Sequence, residues 1–168
     1  MSQIKLAGIE EESIVDGPGF RFVVFTQGCP HHCPGCHNPQ THDPKGGYWE
    51  ETDVLLEKMK KDPLLKGVTL SGGEPFSQAE ALIDFVRKVR ENGFDVFAYS
   101  GYTFEQLVEG GNTRPAWTQL LEMCDILVDG RFEIEKRSLD LLFRGSSNQR
   151  LIDVKKSLAA GKAICAQL

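Results

Sequence analysis

The chain has 168 residues, 40% of them hydrophobic and 26% charged, a size and apolar content that suit one domain with its own core and no need of disulfide staples. Nineteen Lys and Arg against 24 Asp and Glu leave a net charge of −5, which argues against the basic footprint of a nucleic-acid-binding protein. No apolar run approaches the roughly 20 residues that span a bilayer, and residues 1–12 lack the basic-then-apolar pattern of a secretion signal, so residues 1–168 are expected to form a single cytoplasmic domain.

In chain order, the β-rich apolar run at 20–26 predicts a first buried strand. A Gly- and Pro-punctuated stretch follows, then loop composition at 43–47 and a helical pattern over 52–61. A second strand is predicted at 68–70. Ser77 and Glu80 have the spacing of a capping box for the next helix, whose apolar face carries Leu82, Phe85, Val86 and Val89. Gly93 supplies a left-handed stop, and a third strand is expected over 94–99. Thr103 to Gln106 repeats the capping signal, 110–115 reads as loop and 116–123 as helix, before strands at 126–128 and 151–154. Strand and helix alternate as βα units do, so the fold class is α/β with a mostly parallel sheet. A closed (β/α)₈ barrel takes about 250 residues, so this chain is expected to build an open, partial (β/α) barrel.

Cys29, Cys33 and Cys36, three of the five cysteines, lie in one loop immediately after the first predicted strand. Three soft thiolates in a Gly- and Pro-rich loop can wrap a metal centre without long-range closure. Three ligands leave a coordination position open, the arrangement that separates catalytic from structural sites. Two other readings stand beside this one. Zinc could be held by the three cysteines with His31, His32 or His37, and Cys33-Pro34-Gly35-Cys36 is also a C-x-x-C pair suited to thiol exchange. Cys124 and Cys165 read as packing or spare thiols. Further on, Ser71-Gly72-Gly73-Glu74-Pro75 ends the second predicted strand. Its glycines allow close backbone approach to a ligand, and Glu74 offers a carboxylate to an ammonium group.

Together, C-x-x-x-C-x-x-C after one strand and Gly-Gly-Glu-Pro after the next resemble the radical S-adenosylmethionine superfamily. Val15-Asp16-Gly17-Pro18-Gly19, Asp129-Gly130-Arg131-Phe132 and the 144–150 segment Arg-Gly-Ser-Ser-Asn-Gln-Arg make the chain similar to the glycyl-radical activating enzymes of that superfamily. The resemblance implies a 4Fe-4S cluster on Cys29, Cys33 and Cys36. It implies S-adenosyl-L-methionine bordered by Gly35, Cys36 and His37 on the adenosine side and by Gly72, Gly73 and Glu74 at the methionine amine. It further implies the large glycyl-radical subunit of an anaerobic ribonucleoside-triphosphate reductase as partner, and an electron donor such as flavodoxin. Gly35 departs from the many superfamily members that carry an adenine-backing aromatic residue there.

Overall fold

A computed structural model describes residues 2–168. Seven strands, β1 (Gln3–Ser13), β2 (Phe20–Thr26), β3 (Tyr48–Glu51), β4 (Leu65–Gly72), β5 (Asp95–Tyr99), β6 (Ile126–Asp129) and β7 (Arg150–Asp153), form one sheet in the order β3-β1-β2-β4-β5-β6-β7. The central four, β2-β4-β5-β6, are parallel; β1 and β7 run against them, and β3 pairs antiparallel with β1. Five of the seven strands therefore point the same way. The two edge strands, β3 and β7, do not pair with each other, so the sheet stays open as expected.

Five helices, α1 (Thr52–Lys60), α2 (Ala79–Glu91), α3 (Phe104–Gly110), α4 (Pro115–Met123) and α5 (Val154–Ala160), all pack into one hydrophobic cluster. The strand order explains this. Each parallel step moves in the same direction across the sheet, and right-handed crossovers then put every connecting helix on one face. Phe22 and Val24 of β2, Val68 and Leu70 of β4, and Val96 and Ala98 of β5 point into that cluster. The helical face predicted for α2 is there too: Leu82, Phe85, Val86 and Val89 are at most 1% exposed, each contributing about 1.5–3 kcal/mol by burial. No described helix is long and apolar enough to cross a membrane.

The opposite face of the sheet has no helical cover. It carries a small apolar group of Phe97, Val128 and Leu151 with Tyr99 and Phe143 against it. Beside this group lies Arg21, fully buried, which donates to Thr69 Oγ1 (2.7 Å), the carbonyls of Pro18 (3.0 Å) and Val68 (2.9 Å), and Asp95 (2.5 Å). Thr69 Oγ1 in turn donates a hydrogen bond to the carbonyl of Asp16 at 2.6 Å. The segment between β1 and β2 is thereby drawn across the concave face, and Val15 and Asp16 reach the cavity described below.

Several expectations need correction. Ser77 does not cap α2: it lies in a 3₁₀ turn (Pro75–Gln78) whose own cap is Glu74, accepting from the Phe76 amide at 3.1 Å. The proline starts that turn early, so α2 begins at Ala79 with no side-chain cap. The strand before the cysteines is second in the chain, because β1 precedes it. β1 has two register shifts in its pairing and exposed Glu10, Glu11 and Glu12, which hide any alternation. Short, exposed β3 and the seven-residue α5 also went unpredicted. The Thr103 capping box and the left-handed Gly93 (φ 85°) are present as expected.

Replacing Arg21 by Met leaves four acceptors without their donor. Arg21→Met is expected to lower unfolding stability by about 3–5 kcal/mol, read from the urea midpoint. An unchanged midpoint would show that Arg21 does not organise this face.

Candidate active site

The cavity opens at the carboxyl ends of the parallel strands, where ligands bind in sheets of this kind. Its volume is about 340 Å³, and its lining includes Cys29, Cys33, Cys36 and His37 from the loop after β2, Ser71, Gly72 and Gly73 from β4 and its turn, Ser100 and Gly101 after β5, and Gly130 and Phe132 after β6. Two motifs far apart in sequence thus face one space.

The cysteine loop is shaped by its backbone. Gly28 (φ 104°) donates to the Thr41 carbonyl at 2.6 Å, and Cys29 donates to that of His42 at 3.1 Å. Cys36 N closes a turn on Cys33 O at 3.1 Å, and Asn38 N donates to Cys36 Sγ at 3.4 Å. His32 adopts a left-handed φ of 50° and Gly35 one of 73°. A Cβ on Gly35 would be strained at this φ and would press on the end of the exposed Ile134 side chain. All five cysteines are free thiols.

The turn after β4 packs directly on this loop. Gly73 N donates to Thr26 O (2.8 Å) and Glu74 N to Gly28 O (2.9 Å). A Cβ on Gly73 would run into the Gly28 carbonyl, and Gly72 (φ 93°) is equally closed against Thr26. The close approach these glycines allow is first to the cysteine loop itself. Glu74 is fully buried beneath the cavity and does not line it; its carboxylate accepts from Ser100 Oγ (2.9 Å to each oxygen), Gly101 N (2.8 Å), Phe76 N and the ring of His31. Gly35 is likewise absent from the lining.

His37 stands against the Phe132 ring (centroids 4.9 Å apart) and lines the cavity. In the 144–150 segment, Gln149 accepts from Gly145 N and Ser146 N and donates to Gly130 O, while Asn148 donates to Arg131 O. This is a well-bonded loop that also places Arg144, Gly145 and Gln149 on the cavity wall. Asp129 serves structure: it accepts from Arg150 and from the Phe104 amide at the start of α3. Ser100, Gly101, Tyr99 and Phe143 were not singled out from sequence. For Tyr99, Ser100 and Gly101 the only signal is position at the end of β5, where a residue can reach the mouth; Phe143, in the loop before β7, carries none. Tyr99 donates to the carbonyl of Phe143 (2.8 Å), which has a left-handed φ of 58°.

Cys29, Cys33 and Cys36 all line the cavity, and a four-iron cluster takes each thiolate on a separate iron.

Burial pushes the Cys29 thiol up from its ordinary pKa, the nearby Glu74 charge adding to it, against the pull of the His31 and His32 amides. Burial raises Cys33 too, with the Phe132 amide opposing. Cys124 is pushed up to about 12 by complete burial. Near neutral pH Cys29 and Cys33 are protonated, so metal uptake there must release protons and is favoured by rising pH.

A family model described as a 4Fe-4S single cluster domain matches residues 15–152. The chain is 32% identical over 144 residues to the anaerobic ribonucleoside-triphosphate reductase-activating protein of Escherichia coli (strain K12), covering 81% of this chain and 90% of that protein. It is 35% identical to the protein of that name from Vibrio cholerae serotype O1 (81% and 89% covered) and 32% to that of Enterobacteria phage T4 (82% and 86%). Among solved structures, QueE from Escherichia coli superposes with a TM-score of 0.46 at 18% identity, over 60% of this chain and 54% of QueE.

Alkylation of the metal-free protein by iodoacetamide tests the thiol environment. Cys29 and Cys33 are expected to react with a pH midpoint above the roughly 8.5 of a free cysteine, and Cys124 not to react while the protein is folded. A midpoint at or below the free value would contradict the assigned burial.

Proposed function

Because the chain belongs to the 4Fe-4S single cluster domain family, and within it to the anaerobic ribonucleoside-triphosphate reductase-activating proteins, we propose that it is a radical S-adenosylmethionine enzyme that generates a glycyl radical on that reductase. The observation that carries this reading is the convergence of Cys29, Cys33 and Cys36 with Gly72 and Gly73 on one cavity at the strand ends. When bound, the cluster and S-adenosyl-L-methionine would supply the chemistry, one-electron reductive cleavage of the sulfonium to methionine and a 5′-deoxyadenosyl radical able to take hydrogen from a glycine Cα.

The protein's own residues have narrower tasks. Cys29, Cys33 and Cys36 hold the cluster, and the Asn38 amide steadies Cys36 Sγ. The cavity-facing backbone of Ser71, Gly72 and Gly73 receives the methionine amine, with Glu74 holding that turn from beneath; Cys36 and His37 border the adenosine, and Gly35 shapes the turn that presents them. Leu141 and Phe143 on the opposite wall help to exclude water and leave the mouth open to a protein loop. Residues 1–168 act as one domain in the reducing cytosol, where the thiols stay free, and a flavodoxin-like protein supplies the electron.

Cys29→Ala, Cys33→Ala and Cys36→Ala are each expected to abolish the brown cluster and S-adenosylmethionine cleavage after anaerobic reconstitution, while Cys124→Ala and Cys165→Ala do neither. If Cys29→Ala kept cluster and activity while the other two lost them, thiol exchange at the C-x-x-C pair would be the better reading. The substrate is tested with a reductase deuterated at its radical-bearing glycine. 5′-Deoxyadenosine should acquire one deuterium as a glycyl radical signal appears in electron paramagnetic resonance. Cleavage without label transfer would point to another substrate.

A further inference from the structure

His31 lies between two of the three cysteines, yet its ring is committed elsewhere. Nε2 is 2.6 Å from Glu74 Oε1, and the two side chains are 3% and 0% exposed. Every other partner of that carboxylate (Ser100 Oγ, Gly101 N and Phe76 N) donates to it, so the ring N–H donates as well. The imidazole sits edge-on to Tyr102 (centroids 4.5 Å apart, planes at 74°), and a Cβ on Gly101 would overlap it. Glu74 follows Gly72 and Gly73 and hydrogen-bonds through its amide to Gly28. One buried contact therefore joins the cysteine loop, the turn after β4 and the loop after β5.

The neighbouring backbone is strained. His32, immediately before Cys33, has a φ of 50°. A non-glycine residue keeps such a conformation only where its surroundings over-determine it. Here the chain is pinned on the amino-terminal side by Cys29 N on His42 O and by His31 on Glu74, and on the carboxy-terminal side by the Cys33–Cys36 turn.

We propose that His31 is a positioning residue that latches the cysteine loop to the Gly72-Gly73 turn through Glu74. The latch sets the thiols for the cluster before iron arrives and keeps the methionine-binding backbone in register with them. The second half of this role rests on the reading of the cavity as a cluster and S-adenosylmethionine site; the first does not. In this arrangement the Glu74 side chain positions the turn and does not itself contact the methionine amine.

The test compares His31→Leu, which fills the space without a donor, with His31→Gln, which retains one. In the metal-free protein, His31→Leu is expected to speed amide hydrogen exchange about tenfold across residues 28–37 and 73–76 while leaving β4 and β5 unchanged. In the reconstituted protein it should weaken S-adenosylmethionine binding about tenfold by calorimetry. His31→Gln should bring both close to the wild-type values, a rescue that simple space-filling at this position would not produce. Unchanged local exchange, acceleration spread evenly over the sheet, or failure of the Gln variant to rescue would each overturn the latch. Should the Leu variant not fold, His31→Asn, whose amide is too short to reach Glu74, carries the same expectation and the same refutation. If reconstituted wild-type protein bound no S-adenosylmethionine, the proposed function would fall, and the exchange comparison would still decide the latch.

Discussion

A carboxylate without access to water must find its hydrogen-bond donors within the protein, and at Glu74 that requirement organises the whole mouth of the sheet. The group is fully buried, and its donors come from His31 in the cysteine loop, Phe76 in its own turn, and Ser100 and Gly101 after β5. Removing one donor from such a charge is costly because the remaining partners cannot replace it. Three loops with no sequence proximity are therefore interdependent.

The sheet beneath has a complementary constraint. Successive parallel strands advance in one direction, so all five helices cover one face and the concave face is left to side chains and loops. Arg21 fills that face with a cation whose partners are two carbonyls, a hydroxyl and Asp95. The chain between β1 and β2 is thereby tied down as a floor. The apolar group around Phe97 and the strained Phe143 close the far wall, and the parallel strand ends are left as the route to the cysteines.

The loop chemistry follows from these two constraints. Partial burial raises the Cys29 and Cys33 thiols, so ligation there must exchange protons for iron. The Asn38 amide already points at the Cys36 sulfur. Glycines at 72 and 73 serve two partners at once. Gly72 brings the turn against the Thr26 backbone and Gly73 against the Gly28 carbonyl, and both leave peptide groups on the cavity wall where a side chain would otherwise stand.

What could be read from the chain was chemistry carried by local patterns. The three cysteines in eight positions, the Gly-Gly-Glu-Pro turn, the apolar period of α2 and the Thr103 capping box depend on neighbours a few residues away, so composition and spacing expose them. The α/β class followed from the alternation of such segments. Charged, bulged β1 and short, exposed β3 were hidden because their pairing partners, not their own residues, make them strands. Glu74 shows the same limit at the site: its residue type suggested a ligand for an ammonium group, and tertiary structure turned it inward to His31, Ser100 and Gly101. Whether a carboxylate faces a ligand or the interior depends on donors up to 43 residues away, and only the folded chain brings them together.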